Sequence, residues 1–251
     1  HRAQQGVGRE AETPLQLAER QGAEFHRDGC VCPMGVRSAE QAAHYRRCLE
    51  EHEAVAGQPL QGNLRHKTHL LFRWADELVH NADILDAVSD LIGPDIRCWT
   101  TNFFIKEASS PGFVSWHQDS TYWGLDPDDV VTAWVAFTDA TPENGYMQFM
   151  PGTHKVEQLP HLDTFHRDNL LSRGQEIAVD VDTSKAVGIG LKAGAMSLHH
   201  IKLAHGSAPN RAADRRNGQA IRHIPTSVRP TQGTDRATLV RAPPRSPTVT
   251  A

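Results

Sequence analysis

No apolar stretch in this 251-residue chain approaches the roughly 20 residues needed to cross a bilayer. The opening residues are polar where a secretory leader would place its apolar core. The expected compartment is therefore the cytosol. Because the chain opens on His1 rather than Met, a removed targeting segment stands as the alternative. Cysteine is scarce too. Cys30, Cys32, Cys48 and Cys98 lack the density of a disulfide scaffold and the paired spacing of a structural zinc site, and read as reduced thiols. There is no excess of positive charge: 26 Lys and Arg against 30 Asp and Glu give a formal net charge of -4. With the basic residues spread along the chain, neither nucleic acid nor an anionic membrane is an expected partner.

What is present suits one globular domain. Charged residues are 22% and hydrophobic residues 39% of the chain, close to an ordinary folded protein. Helical spacing of apolar positions predicts a helix over Leu15–Phe25, ending at Asp28-Gly29. Ser38 and Gln41 form a capping-box pair before a second helix from Ala39 to about Val55. A third starts near Ala82, carries Ile84, Leu85, Val88 and Leu91 on one side, and stops at Gly93-Pro94.

From about residue 95 the chain turns to short runs rich in β-branched and aromatic residues. Strands are expected over 96–106, 113–119, 130–137, 146–150, 176–181, 195–200 and 218–224, a pattern that fits a sandwich or barrel. Residues 153–175 form a polar insertion of the length typical of a lid. The domain is expected to span 1–230. The proline-bearing tail, 231–251, reads as disordered or as an arm packed on another surface.

The chemistry concentrates in Ser115-Trp116-His117-Gln118-Asp119. On a strand, His117 and Asp119 leave the same face and reach one ion. Two histidines and one carboxylate suit a non-haem iron(II) centre with open positions, so a third ligand is sought among His199, His200 and His205. His205 is preferred, because it opens His205-Gly206-Ser207 beside a turn. Arg216 starts the next expected strand, and a buried guanidinium there would pair bidentately with a carboxylate.

These residues resemble the phytanoyl-CoA dioxygenase family of iron(II)- and 2-oxoglutarate-dependent oxygenases. The likeness rests on Trp116-His117-Gln118-Asp119, on Thr132-Ala133-Trp134-Val135-Ala136-Phe137, on Glu143-Asn144-Gly145 with Pro151-Gly152-Thr153-His154-Lys155, and on His205-Gly206-Ser207 followed by Arg216. With Asp28-Gly29 it covers roughly residues 20–230. The resemblance implies a mainly β fold with flanking helices around a double-stranded β-helix, a cupin-like jelly roll. It implies His117, Asp119 and His205 as catalytic iron(II) ligands, and Arg216 with Ser207 on the distal carboxylate of 2-oxoglutarate. Trp134 would line the cosubstrate site, and Lys106 would approach it.

Asn102, Tyr122 and Trp123 are the candidate substrate contacts. The implied reaction consumes O₂ and 2-oxoglutarate, yields succinate and CO₂, and hydroxylates an unactivated C–H bond of a small metabolite. Asp119 favours hydroxylation, since related halogenases carry a small residue there. A zinc hydrolase and a non-catalytic β-helix binding protein are the rival readings. His223 stands where an aromatic residue is expected, while His154, His161 and His166 read as structural or decorative.

Overall fold

The structure is a computed structural model that describes residues 17–242. Its helices are α1 (Glu19–Asp28), α2 (Ala39–Ala56), α3 (Arg73–Val79), α4 (Ala82–Ile92) and α5 (Ser120–Trp123). Its strands are β1 (Cys30–Gly35), β2 (Ile96–Lys106), β3 (Val114–His117), β4 (Leu125–Asp126), β5 (Val131–Ala136), β6 (Met147–Phe149) and β7 (His161–Asp163). They continue with β8 (Gln175–Ile177), β9 (Val187–Ile189), β10 (Ala195–His200), β11 (His205–Ser207), β12 (Arg216–Pro225), β13 (Arg229–Pro230) and β14 (Thr238–Arg241).

Two antiparallel sheets form the core, one ordered β1-β10-β5-β12-β2-β14 and the other β3-β11-β6-β9. This is the expected jelly roll. Its central strands are buried on both faces, and side-chain alternation divides them between two environments. Val131, Ala133, Val135 and Ile221 turn towards the helices and pack with Leu49, Leu78, Ile84 and Val88. Trp134, Ala136 and Ala220 turn inwards and pack with Phe149, Ile189 and Leu203 between the sheets. On β12, Arg216, Gly218, Ala220 and Arg222 therefore share the inward face, and the register Arg216↔Lys106 and Ala220↔Asn102 puts β2 residues beside them.

The helix starts follow local chemistry. Ser38 Oγ accepts from the Gln41 amide at 3.1 Å while Gln41 Oε1 accepts from the Ser38 amide at 2.9 Å, the expected capping box. Asn81 Oδ1 accepts from the Ile84 amide at 3.0 Å and opens α4. The first expected helix is shifted: α1 runs Glu19–Asp28, and residues 1–16 lie outside the described residues. The helical third also contains β1, which the sequence reading missed. It carries Pro33 and pairs with β10 alone, at the sheet edge where a missing amide is tolerated.

Two further expectations are corrected. The strand expected over 176–181 is the shorter β8, and the insertion 153–175 folds back as the β7–β8 hairpin. Residues 231–242 take the packed-arm alternative for the tail: β14 adds to the large sheet along β2, and Arg241 Nη2 lies 2.7 Å from Asp86 Oδ1. Residues 243–251 lie outside the described residues. No helix among the described residues is long and apolar enough to cross a membrane.

Buried histidines are expected to make the fold acid-sensitive. Burial pushes the imidazoles of His200 and His223 down to about 4, and neither ring nitrogen of His223 has a hydrogen-bond partner. With unfolded histidines titrating near about 6.5, the unfolded chain binds more protons between that pH and 4, so stability falls as pH is lowered through this window. Thermal melts should show Tm declining from pH 6.5 to 4, less steeply in His223→Phe. A pH-independent Tm would contradict this.

Candidate metal centre

His117 ends β3 and His205 begins β11, and the two are direct cross-strand partners. Residues directly opposite one another project to the same side of a sheet, which brings their ring centroids to 4.2 Å. Asp119 completes the group, and the three residues offer ligand atoms that all lie within 4.8 Å of one another. Asp119 Oδ1 is 3.2 Å from His117 Nε2, and Asp119 Oδ2 is 4.0 Å from His205 Nε2.

The expectation that Asp119 sits on the same strand as His117 is corrected, because β3 ends at His117 and Asp119 is helical, capping α5. Long-range bonds to Gln118 make this turn. Gln118 Nε2 donates to Lys202 O at 2.8 Å, its Oε1 accepts from the Leu159 amide at 2.9 Å, and its own amide donates to His161 Nε2 at 2.9 Å. His161, read as decoration from sequence, is thus a positioning residue for the Asp119 turn.

The donor chemistry fits a divalent cation. His117 Nδ1 lies 2.8 Å from Ser115 O, and His205 Nδ1 lies 2.8 Å from Leu203 O. Donation to those carbonyls fixes the proton on Nδ1 and leaves each Nε2 lone pair facing the group. Burial, then His117, pushes His205 down to about 4, so it is neutral at physiological pH. Burial opposes the charge on Asp119, yet its closeness to the His117 and His205 rings holds its carboxyl well below the usual range. The donor set is thus two imidazole Nε2 atoms and one carboxylate. His199 stays outside the triad, its ring 5.0 Å from that of His205, and His200 packs against His154.

The triad opens into a cavity that Trp134, Ser207 and Arg216 also line. Arg216 is 3% exposed, its Nη1 donates to Gly145 O at 2.7 Å, and its guanidinium lies 5.2 Å from the Trp134 ring centroid. Its Nε has no partner, and no carboxylate among the described residues pairs with it. Gly218 on β12 makes room for Trp134, since a Cβ there would lie 2.6 Å from the indole. Gly145, from the Glu143-Asn144-Gly145 motif, has φ +73, and a Cβ would meet Ala208 O at 2.1 Å, so only glycine presents that carbonyl to Arg216.

Lys106 does not line the cavity. Its buried Nζ stands behind the wall, donating to Ser207 Oγ at 2.7 Å, Gly145 O at 3.1 Å and Ala208 O. Burial and the neighbouring Arg216 push it down to about 6.

A second cleft, of about 210 Å³, meets the first at Phe104, Asp119 and Arg222. Asn102 and Trp123 line it, together with Leu170, Leu171, Ser172 and Gln175 at the C-terminal end of the insertion and into β8. Tyr122 lines neither cavity, and instead donates to Asp163 Oδ1 at 2.6 Å beneath the Arg173 guanidinium. Arg222 was missed. The signal was its parity with Arg216, six residues along one strand.

The profile of the phytanoyl-CoA dioxygenase family matches residues 25–218. A probable alpha-ketoglutarate-dependent hypophosphite dioxygenase from Stutzerimonas stutzeri is 28% identical over 167 residues, 66% of this chain and 58% of that protein. The ectoine dioxygenase of Nocardia farcinica (strain IFM 10152) is 24% identical over 212 residues, 74% of this chain and 70% of that one. The chain spans 39–58% of the length of several curated relatives that it matches.

Among solved structures, the apo form of ThoJ, described as a non-heme monooxygenase, superposes with TM-score 0.76 at 39% identity, covering 88% of this chain and 84% of that one. CytC3 with Fe(II) and alpha-ketoglutarate superposes with TM-score 0.65 at 25% identity, covering 88% and 82%. With this profile spanning most of the chain, the chain belongs to the phytanoyl-CoA dioxygenase family.

Proposed function

We propose that the chain is an iron(II)- and 2-oxoglutarate-dependent dioxygenase that hydroxylates an unactivated C–H bond of a small organic metabolite. One observation carries the reading: a buried His117–Asp119–His205 group shares its cavity with Arg216, a buried cation that has no carboxylate partner among the described residues. Iron(II), when bound, supplies O₂ activation coupled to decarboxylation of 2-oxoglutarate to succinate and CO₂.

The chain's own residues define the rest. Asp119 and the two Nε2 atoms are the metal donors, leaving the remaining positions for small molecules. The Arg216 fork takes the distal carboxylate of 2-oxoglutarate. Ser207 Oγ accepts from Lys106, which leaves its own O–H to donate to that carboxylate. Trp134 lies beneath the guanidinium, and Phe104, Val114 and Met147 keep the chamber apolar and short of water. With a carboxylate at position 119 no donor position is left for a halide, which favours hydroxylation over halogenation. Two histidines and a carboxylate would also serve a zinc hydrolase. That reading leaves Arg216 buried without a task.

Anaerobic titration with iron(II) and 2-oxoglutarate tests the reading through the weak visible charge-transfer band of the chelate. The band is expected in the wild type and absent in His205→Ala. Well-folded wild-type protein that gives no band would overturn the proposal.

A further inference from the structure

Arg222 is a second buried cation without a counter-ion among the described residues, six residues beyond Arg216 on β12. It is 5% exposed and lines both cavities at their junction. Its Nη1 donates to Asn102 Oδ1, its Nε is buried with no partner, and no carboxylate among the described residues forms an ion pair with it. The aromatic faces of Trp123 and Phe104 lie 5.1 and 5.7 Å from the guanidinium carbon. Those rings hold its plane while an edge is left to the cleft.

The surrounding cleft is electropositive. Arg65 contributes a second mostly buried guanidinium, whose one protein bond is a 3.3 Å donation from Nη2 to Leu170 O. Lys67 is already neutralised by Asp235 at 2.8 Å. Asp119 is the one acidic residue lining the cleft, and the reading above commits its charge to the metal. Leaving a buried charge unpaired costs several kcal/mol, so such groups are retained where a ligand completes them. The cosubstrate completes Arg216 and leaves Arg222 unmatched.

We propose that the substrate is an organic acid whose carboxylate is held by Arg222, with Arg65 adding to the field. Its carbon skeleton lies along Trp123 and Phe104, and the C–H bond to be oxidised sits close to the acid group, because Asp119 and Arg222 line the same constriction. The inference rests on the dioxygenase reading and narrows its substrate class.

The test uses the anaerobic protein loaded with iron(II) and 2-oxoglutarate. Indole-3-acetate, 3-phenylpropionate and hexanoate are titrated by calorimetry, each against its own amide. At least one acid should bind about 10- to 100-fold more tightly than its amide, the range set by a charged hydrogen-bonded pair. That preference should vanish in Arg222→Gln and return in part in Arg222→Lys. Arg222→Met, which keeps the packing between Trp123 and Phe104, replaces the Gln variant if circular dichroism shows it unfolded. Acids and amides binding alike, no acid binding at all, or a preference that survives in Arg222→Gln would each overturn the inference. Failure of the 2-oxoglutarate band in wild type would remove the dioxygenase reading itself; an intact band without acid preference removes only the role of Arg222.

Discussion

Asp119→Ala is expected to abolish product formation and to weaken iron(II) binding by at least about 100-fold, because loss of a ligand exceeds the 10- to 100-fold effects of disturbing a ligand's outer partners. The remaining donors, His117 and His205, sit with ring centroids 4.2 Å apart and would face one another with no anion to balance a cation. Metal content after anaerobic dialysis and succinate release in air measure the two effects. Undiminished succinate formation would remove Asp119 from the ligand set.

Arg216→Ala is expected to raise the 2-oxoglutarate needed to half-saturate the anaerobic band on the order of 100-fold, equivalent to about 3 kcal/mol, the scale for truncating a buried charge partner. The loss should be specific. Metal affinity rests on β3, β11 and the α5 turn, whereas Arg216 rests on β12, so iron(II) binding alone should change little. Arg216→Lys should recover only part of the affinity, since an ammonium lacks the two-pronged fork. An unshifted titration in the Ala variant would exclude Arg216 from the cosubstrate site.

Much of this was legible in the sequence where the signal is local. The bounds of β2 and β10 follow from uninterrupted runs of strand-forming residues, and the start of α2 follows from Ser38 and Gln41, three residues apart. The triad could be read because a histidine and a carboxylate two apart, with a later histidine and arginine, form a linear pattern. What escaped depends on contacts across the chain. Asp119 leaves its strand because Gln118 bonds to Lys202 and Leu159, 84 and 41 residues away. His161 gains a role only by meeting the Gln118 amide, 43 residues off. Nothing near α3 announced it, since its first residue follows Phe72 with no side-chain cap. Arg222 looked like any polar residue until the order of the sheet placed β12 between β5 and β2.

The inward row of β12 acts as a fixed ruler. Arg216 and Arg222 are six residues apart, roughly 20 Å along an antiparallel strand. Pairing with β2 on one side and β5 on the other prevents the rod from sliding. On the proposed reading, the graduation at 216 serves the cosubstrate and the one at 222 the molecule to be oxidised. On that reading, exchanging a residue at the second mark would alter what is accepted and leave the oxidative machinery in calibration, so that new chemistry could be acquired along this scaffold one mark at a time.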